Sequence, residues 1–409
     1  MKNIKYLAIV VATAVCITSC NMLVEDYKEF ISNQSDEVQK IKLSGPIEVR
    51  NIEVGEFNAI ESEFGIMDIE YSQTSDQPAA QLICNNEIMA LADIYVDNEV
   101  LYIEMNDSVD FEDIQWEIDK DCECVLKCSS KQLKSITQKG SGNLILKTAV
   151  KGDTLKIDRS GMGNFECLQP LDVEVLNISS SGSGNAYICG TLNRGQIEFS
   201  GMGDLNINGT LSAQYLDVEM SGSGDINISK PITIDTLEIE TSGMGDVDID
   251  GTINIKVADI SMSGSGDMNG NSLHIKNLNI EKSGMGDVNI DSFDGDNITI
   301  ASSGSGNTTI EKLNSKDMQL SCSGMGDVEI KEGVAINVSI NYRGSGSLNA
   351  KGLSADNLKF DASGNGDHRI GEVKKSLDVK LRNKTSFTYS GYPSSETVNI
   401  DKKAKIKRI

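Results

Sequence analysis

Aromatic residues make up only 5% of this chain, and it has just two histidines. A core built on large rings is therefore excluded, and many small aliphatic contacts must replace it. His274 and His368 stand in no Ser/His/Asp or metal-ligand spacing, so both are expected on the surface. No strong helical period of apolar residues is evident. Past residue 20 no apolar run is long enough to cross a bilayer. Bases are outnumbered by acids, 37 to 61, giving a net charge of −24. That balance argues against nucleic acid and anionic lipid as partners. It fits a solvated acidic exterior, or cation binding.

What is abundant is glycine, with 38 residues. One phrase, Gly-x-Gly, usually followed by Asp or Asn and an aliphatic residue, accounts for most of it. Its copies begin at Gly140, Gly161, Gly182, Gly201, Gly222, Gly243, Gly264, Gly284, Gly304, Gly324, Gly344 and Gly364. A fixed period near 20 residues marks a stacked repeat architecture. The middle residue alternates between Ser (141, 183, 223, 265, 305, 345) and Met (162, 202, 244, 285, 325), with Asn365 last. A longer period of two repeats therefore overlies the first.

Between the phrases, apolar and polar residues alternate, as in Leu205 and Ile207, then Leu216, Val218 and Met220. Period two means short half-buried strands, two or three per repeat. The predicted fold is all-β: a β-solenoid of about 20-residue rungs with β caps at both ends. A rung of two repeats is the alternative. Stacking at about 4.8 Å places equivalent residues in columns. Four or five inward aliphatic side chains are expected per rung. The glycines suit corners needing positive φ or close backbone approach. Methionine and serine would alternate in one column, with the methionines packed.

The residue after the phrase is acidic at Asp204, Asp225, Asp246, Asp267, Asp287, Asp327 and Asp367. Asx side chains accept backbone N–H bonds at corners, which explains the position without a ligand. The sharper reading is a cation column of Asp204, Asp225, Asp246, Asp267, Asp287 and Asp327. Stacked carboxylates about 4.8 Å apart repel by roughly 0.9 kcal/mol even in water, and calcium would offset that. The phrase is not a nucleotide loop: no helix pattern follows, and it recurs too often. No cofactor is implied.

Residues 1–20 read as a secretion signal. Lys2 and Lys5 precede an apolar run, and Ile17-Thr18-Ser19-Cys20 resembles the lipobox of bacterial lipoproteins. Cys20 would then carry the lipid, the sole membrane attachment, and loss of the two lysines takes the charge from −24 to −26. Residues 21–44 read as a tether. Residues 45–139 form an N-terminal β cap without the phrase, with a hairpin turning at Asp97-Asn98. Residues 140–370 are the repeat solenoid, and 371–409 a closing β cap. Seven cysteines remain after Cys16 and Cys20: Cys84, Cys122, Cys124, Cys128, Cys167, Cys189 and Cys322. An odd number cannot all pair. Cys122, Cys124 and Cys128 share a strand face with Leu126, which favours buried free thiols over a disulfide or a thiolate metal site.

The opening "EVGEFNAIESEFGIMDIEYSQ" and "IYVDNEVLYIEMND", the recurrent "SGSGD" and "SGMGD", and the closing "SFTYSGYP" carry a resemblance in their order. The chain resembles the putative auto-transporter adhesin, head GIN domain family of Bacteroidetes lipoproteins over residues 45 to 400. The resemblance implies a right-handed parallel β-helix and an envelope location, as an outer-membrane lipoprotein on the periplasmic or surface face. The expected function is a non-enzymatic adhesin or binding scaffold presenting a rigid acidic rod to a glycan or protein partner, with homo-oligomerisation open. Two alternatives stand beside it. One is a polysaccharide-acting enzyme with paired carboxylates. The other is a structural envelope protein without a ligand. Exposed aromatics such as Tyr187, Tyr215 and Tyr342 would favour binding; two carboxylates in a cleft off the column would favour the enzyme.

Overall fold

A computed structural model describes residues 39–43, 46–106, 114–118, 123–207, 209–229, 231–250 and 253–409. The expected signal, most of the tether, Cys20 and Cys122 lie outside these residues. Two compact units divide the chain: Met1–Ile145 with Ser160–Gly163, and Leu146–Arg159 with Asn164–Ile409.

The first unit mixes strand directions. Ala79–Asn85 runs antiparallel between Ile47–Ile52 and Cys124–Ser130. Asp68–Gln73 is parallel to Cys124–Ser130, and Ala59–Ser62 is parallel to both Val100–Met105 and Ser135–Gly140. The hairpin of Ala92–Asp97 and Val100–Met105 turns at Asn98 and Glu99, both at positive φ. That is one residue beyond the turn expected from sequence. The only helix among the described residues, Asn86–Leu91, is too short to show a helical period in the sequence.

The second unit is a parallel β-solenoid. Register partners are 19 to 21 residues apart: Leu171 on Gly190, Gly190 on Leu211, Met268 on Val288. A rung is therefore one repeat, not two. Each pairs a short strand, such as Leu205–Ile207, with a longer one, such as Leu211–Met220. Seven side chains of this rung point inward, more than the four or five expected: Leu205, Ile207, Leu211, Ala213, Leu216, Val218 and Met220. The excess arises because Gln214 and Tyr215 are outward in succession. This bend switches the parity and gives a third inward row. At about 1.5–3 kcal/mol per fully buried aliphatic side chain, burial against both neighbouring rungs holds a coil with almost no helix.

Rungs continue past the last Gly-x-Gly. Leu377 stacks on Glu396 and Phe387 on Ile406. Outside the core, asparagine amides bridge rungs, as in Asn289 Nδ2 to Asn269 Oδ1 at 3.0 Å and Asn357 Nδ2 to Asn337 Oδ1 at 2.9 Å. These ladders cross-link neighbouring coils.

Candidate binding face

The Gly-x-Gly corners stack backbone on backbone. A Cβ on Gly243 would lie 1.5 Å from the Gly222 carbonyl oxygen, and one on Gly284 1.5 Å from that of Gly264. Such contacts are impossible, so glycine is demanded by proximity. Positive φ appears in this row only at Gly140, Gly161, Gly182 and Gly364. At the inner corners close approach alone excludes a side chain. Gly140 and Gly142 themselves sit over Gly65 and Met67. The segment Gly65-Ile66-Met67-Asp68 is thus an unrecognised first corner. Its trace in the sequence was a glycine three residues before an aspartate.

The residue after each corner forms a ladder. One oxygen of Asp204 accepts the backbone N–H of Asp225 at 3.0 Å, Asp225 that of Asp246 at 2.8 Å, and Asp246 that of Asp267 at 2.7 Å. Asp267, Asp287, Asn307 and Asp327 continue it to Ser347. Asn143 joins Asp68 in the same way at 2.6 Å. Each carboxylate is half-buried or exposed and already serves a donor within the fold. Among the described residues no group of three His, Cys, Asp or Glu side chains could hold a metal ion.

The corner methionines are not packed as expected. Met202, Met244, Met285 and Met325 are 62–70% exposed. With the corner glycines pressed together, the middle residue can only project outward, on alternate rungs with serine. The methionines thus recur every two rungs, about 9.6 Å.

Beside this edge runs a serine row: Ser200, Ser221, Ser242, Ser263, Ser283, Ser303 and Ser323 are all exposed. Two residues earlier lies an acidic row in register, Glu198 on Glu219 on Glu240, resuming at Glu281 beyond Ser261. Partial desolvation, then Asp217, Glu198 and Glu240, raises the Glu219 carboxyl above its ordinary range. Between these rows lies an open groove of about 610 Å³. On the adjoining face the Arg194 guanidinium sits 4.3 Å from the Tyr215 ring centre. The Tyr215 hydroxyl donates to Glu238, which is the main reason its pKa is pushed up to about 12.

Two expectations about aromatic and imidazole groups fail. Tyr342 is 1% exposed, its hydroxyl donating to the Gly326 carbonyl at 2.6 Å. Tyr187 and Tyr215 are half-buried. His368 is buried against Tyr342 and Phe360, occupying an inward position between Leu348 and Phe387. Burial lowers its pKa to about 4. His274 is exposed, 3.7 Å from Asp294. Sequence reasoning also missed Lys282. It stands between Met262 and Ser302 at an inward position, 3% exposed, and its ammonium has no hydrogen-bond partner. Desolvation lowers its pKa, opposed by Asp287 and Asp267. Cys84, Cys128 and Cys322 are buried free thiols, Cys124 is buried as well, and Cys167 and Cys189 are free and half-buried.

Stacked parallel rungs carrying continuous outward rows define a β-solenoid. The chain belongs to the family described as putative auto-transporter adhesin, head GIN domain, whose model matches residues 56–229, 195–294 and 289–393. Solved structures match the chain at low identity. A putative adhesin from Bacteroides fragilis is 20% identical, with a TM-score of 0.42, over 66% of this chain and 99% of its own. A putative adhesin from Parabacteroides merdae is 17% identical, with a TM-score of 0.37, over 90% and 99%. A protein titled putative lipid binding protein, from Parabacteroides distasonis, is 15% identical, with a TM-score of 0.28, over 91% and 100%. No curated protein matches the chain.

Proposed function

We propose that this chain is an envelope adhesin, anchored by a lipid on Cys20, that binds an extended glycan along the serine and glutamate rows. The carrying observation is the continuity of that surface. Seven successive rungs present an exposed serine, with a glutamate two residues earlier on four of them and a thioether on alternate rungs. Hydroxyl and carboxylate oxygens at a regular spacing suit a polymer of hydroxyl groups better than a compact ligand. The family description supports a binding role. The acidic exterior keeps anionic polymers and lipid headgroups away. The Asx ladder serves as a structural element in this reading, and no catalytic residue is assigned.

The test is binding of the chain from Asn21 to Ile409 to an array of neutral and charged glycans, with matrix proteins beside them. Saturable glycan binding without product, weakened in a Glu198→Gln, Glu219→Gln, Glu240→Gln variant of unchanged Tm, is the expected result. Binding to proteins alone would replace the ligand class. Release of shorter saccharides would replace the adhesin with an enzyme.

A further inference from the structure

We propose that Cys84 and Cys124 form a disulfide when the chain meets a disulfide-bearing oxidant. The two residues are register partners on neighbouring antiparallel strands, Ala79–Asn85 and Cys124–Ser130. Directly opposed residues of an antiparallel pair hold their Cβ atoms about 4.5–5.5 Å apart. A disulfide draws Cβ atoms to about 3.5–4.5 Å, which a small local adjustment supplies. The side chains already meet, the two thiols sharing a hydrogen bond.

The other described cysteines lack this arrangement. Cys128 faces Ala80 across the same strand pair. Cys322 stacks between Ser302 and Tyr342. Cys167 and Cys189 lie on adjacent rungs, but their strands pair Phe165 with Ala186 and Glu166 with Tyr187, leaving the cysteines one step out of line. Burial raises the pKa of all four of these thiols. Cys84 is instead lowered, first by the Cys124 hydrogen bond and further by Arg50, against the opposing effects of burial and Glu48.

The reaction is thiol–disulfide exchange. The Cys84 thiolate attacks one sulfur of the oxidant, breaking its S–S bond and releasing one thiol. The Cys124 thiolate then attacks the Cys84 sulfur of the mixed disulfide and releases the second thiol. Two cysteine thiols are oxidised, one oxidant disulfide is reduced, and the two cysteine protons end on the released thiols. Cys84 is fully buried, so exchange requires the strands to be open, during folding or in local unfolding. The bond closes a loop of 41 residues, counted from 84 through 124, and ties the antiparallel strands Ala79–Asn85 and Cys124–Ser130 together.

The experiment refolds the chain in oxidised glutathione, with a Cys122→Ser background so that the Cys124 peptide carries one thiol. Unpaired thiols are alkylated in denaturant, and peptides are mapped by mass. The expected result is two fewer alkylated cysteines, a Cys84–Cys124 cross-linked peptide, and a Tm that drops on reduction. Cys124→Ala, a small buried replacement, should melt at the same temperature with and without reductant. Full alkylation of both residues, a bond from Cys84 to any other cysteine, or equal Tm in both redox states would overturn the proposal. Should Cys124→Ala fail to fold, the wild-type peptide map and its reductant-dependent Tm decide alone.

Discussion

Two neighbouring rows of the second unit obey opposite rules. The corner row is glycine at every rung from Gly201 to Gly364. The inward row just before it reads Met220, Thr241, Met262, Lys282, Ser302, Cys322, Tyr342 and Ala362 in unbroken register. At the corner the neighbour is a carbonyl oxygen less than 2.2 Å from any added Cβ. That oxygen belongs to the coil and cannot move alone. In the inward row the neighbours are side chains, which adjust to a methionine, a tyrosine or an alanine. Repetition in this sequence therefore marks where backbone meets backbone, and variation marks where side chain meets side chain. The difference can be broken from either side.

The largest effect is expected at the corner. Gly243→Ala places a methyl carbon against the Gly222 carbonyl and must pry two rungs apart. The loss should exceed about 4 kcal/mol, as for other severe overpacking and strain. Thermal melting checks it; a loss below about 1 kcal/mol would show that the corner yields. Cys322→Ala, one column away, removes a single buried sulfur and should cost far less.

Burial of His368 predicts an acid-labile end. Its folded pKa of about 4 lies below the ordinary 6.5, so the unfolded chain binds the extra proton between these values. Stability is then full above pH 6.5 and falls as pH drops towards 4, by about 3 kcal/mol for this group. His368→Phe, beside Phe360 and Phe387, should flatten that part of the pH profile. Equal losses of unfolding free energy in wild type and variant between pH 7 and 4.5, read from urea titrations, would place the imidazole in water.

Lys282 sharpens the tolerance of the inward row. Its ammonium is buried without a hydrogen-bond partner, which costs about 1–3 kcal/mol or more for a charged group. Lys282→Met restores the residue type of Met262 one rung earlier and should raise Tm. The pKa is lowered, so the unfolded chain binds more protons at alkaline pH. Wild-type stability should thus rise with pH towards 10.4, and the variant should lose that rise. A variant that melts lower would mean that the ammonium has a favourable role in the core.

The Asx ladder lies between the two extremes, since a side chain there serves the backbone. Asp246→Ala orphans the N–H of Asp267 and should cost about 1 kcal/mol, whereas Asp246→Asn keeps an acceptor oxygen. Because the carboxylates are engaged within the fold, millimolar calcium should leave Tm unchanged. A calcium-dependent rise, lost in a variant with several of these aspartates changed to asparagine, would restore the cation column.

Legibility follows the same division. The rung length, the strand alternation and the glycine corners could be read because a backbone constraint leaves the same residue at every turn. The Asx position was equally plain, with its hydrogen-bonding role already the simpler reading. What could not be read depended on a side chain's neighbours in other rungs. His368 and Tyr342 looked like isolated polar aromatics, yet each takes an inward position when its strand is registered against the next. Lys282 was hidden for the same reason. The Gly65 corner was missed because its second glycine is replaced by Met67. The methionines misled in the opposite direction: apolar character suggested packing, but the space inside the corner is already filled by backbone.

The smallest stability effect is therefore expected at the most apolar part of the phrase. Met244 is 68% exposed and alternates with serine on adjacent rungs. Met244→Ser makes its rung like its neighbours and should change stability by no more than about 0.5 kcal/mol, as surface substitutions do. Four such changes, at Met202, Met244, Met285 and Met325, should together leave the melting curve nearly intact. They would still remove the exposed thioethers beside the hydroxyl and carboxylate rows. If glycan binding weakens while Tm holds, the thioethers contact the ligand and the two-rung period belongs to recognition. If binding and Tm both hold, recognition rests on the serine and glutamate rows. A fall in Tm of many degrees would show that the methionines cover part of the solenoid after all, and would remove the contrast between packed columns and a free edge.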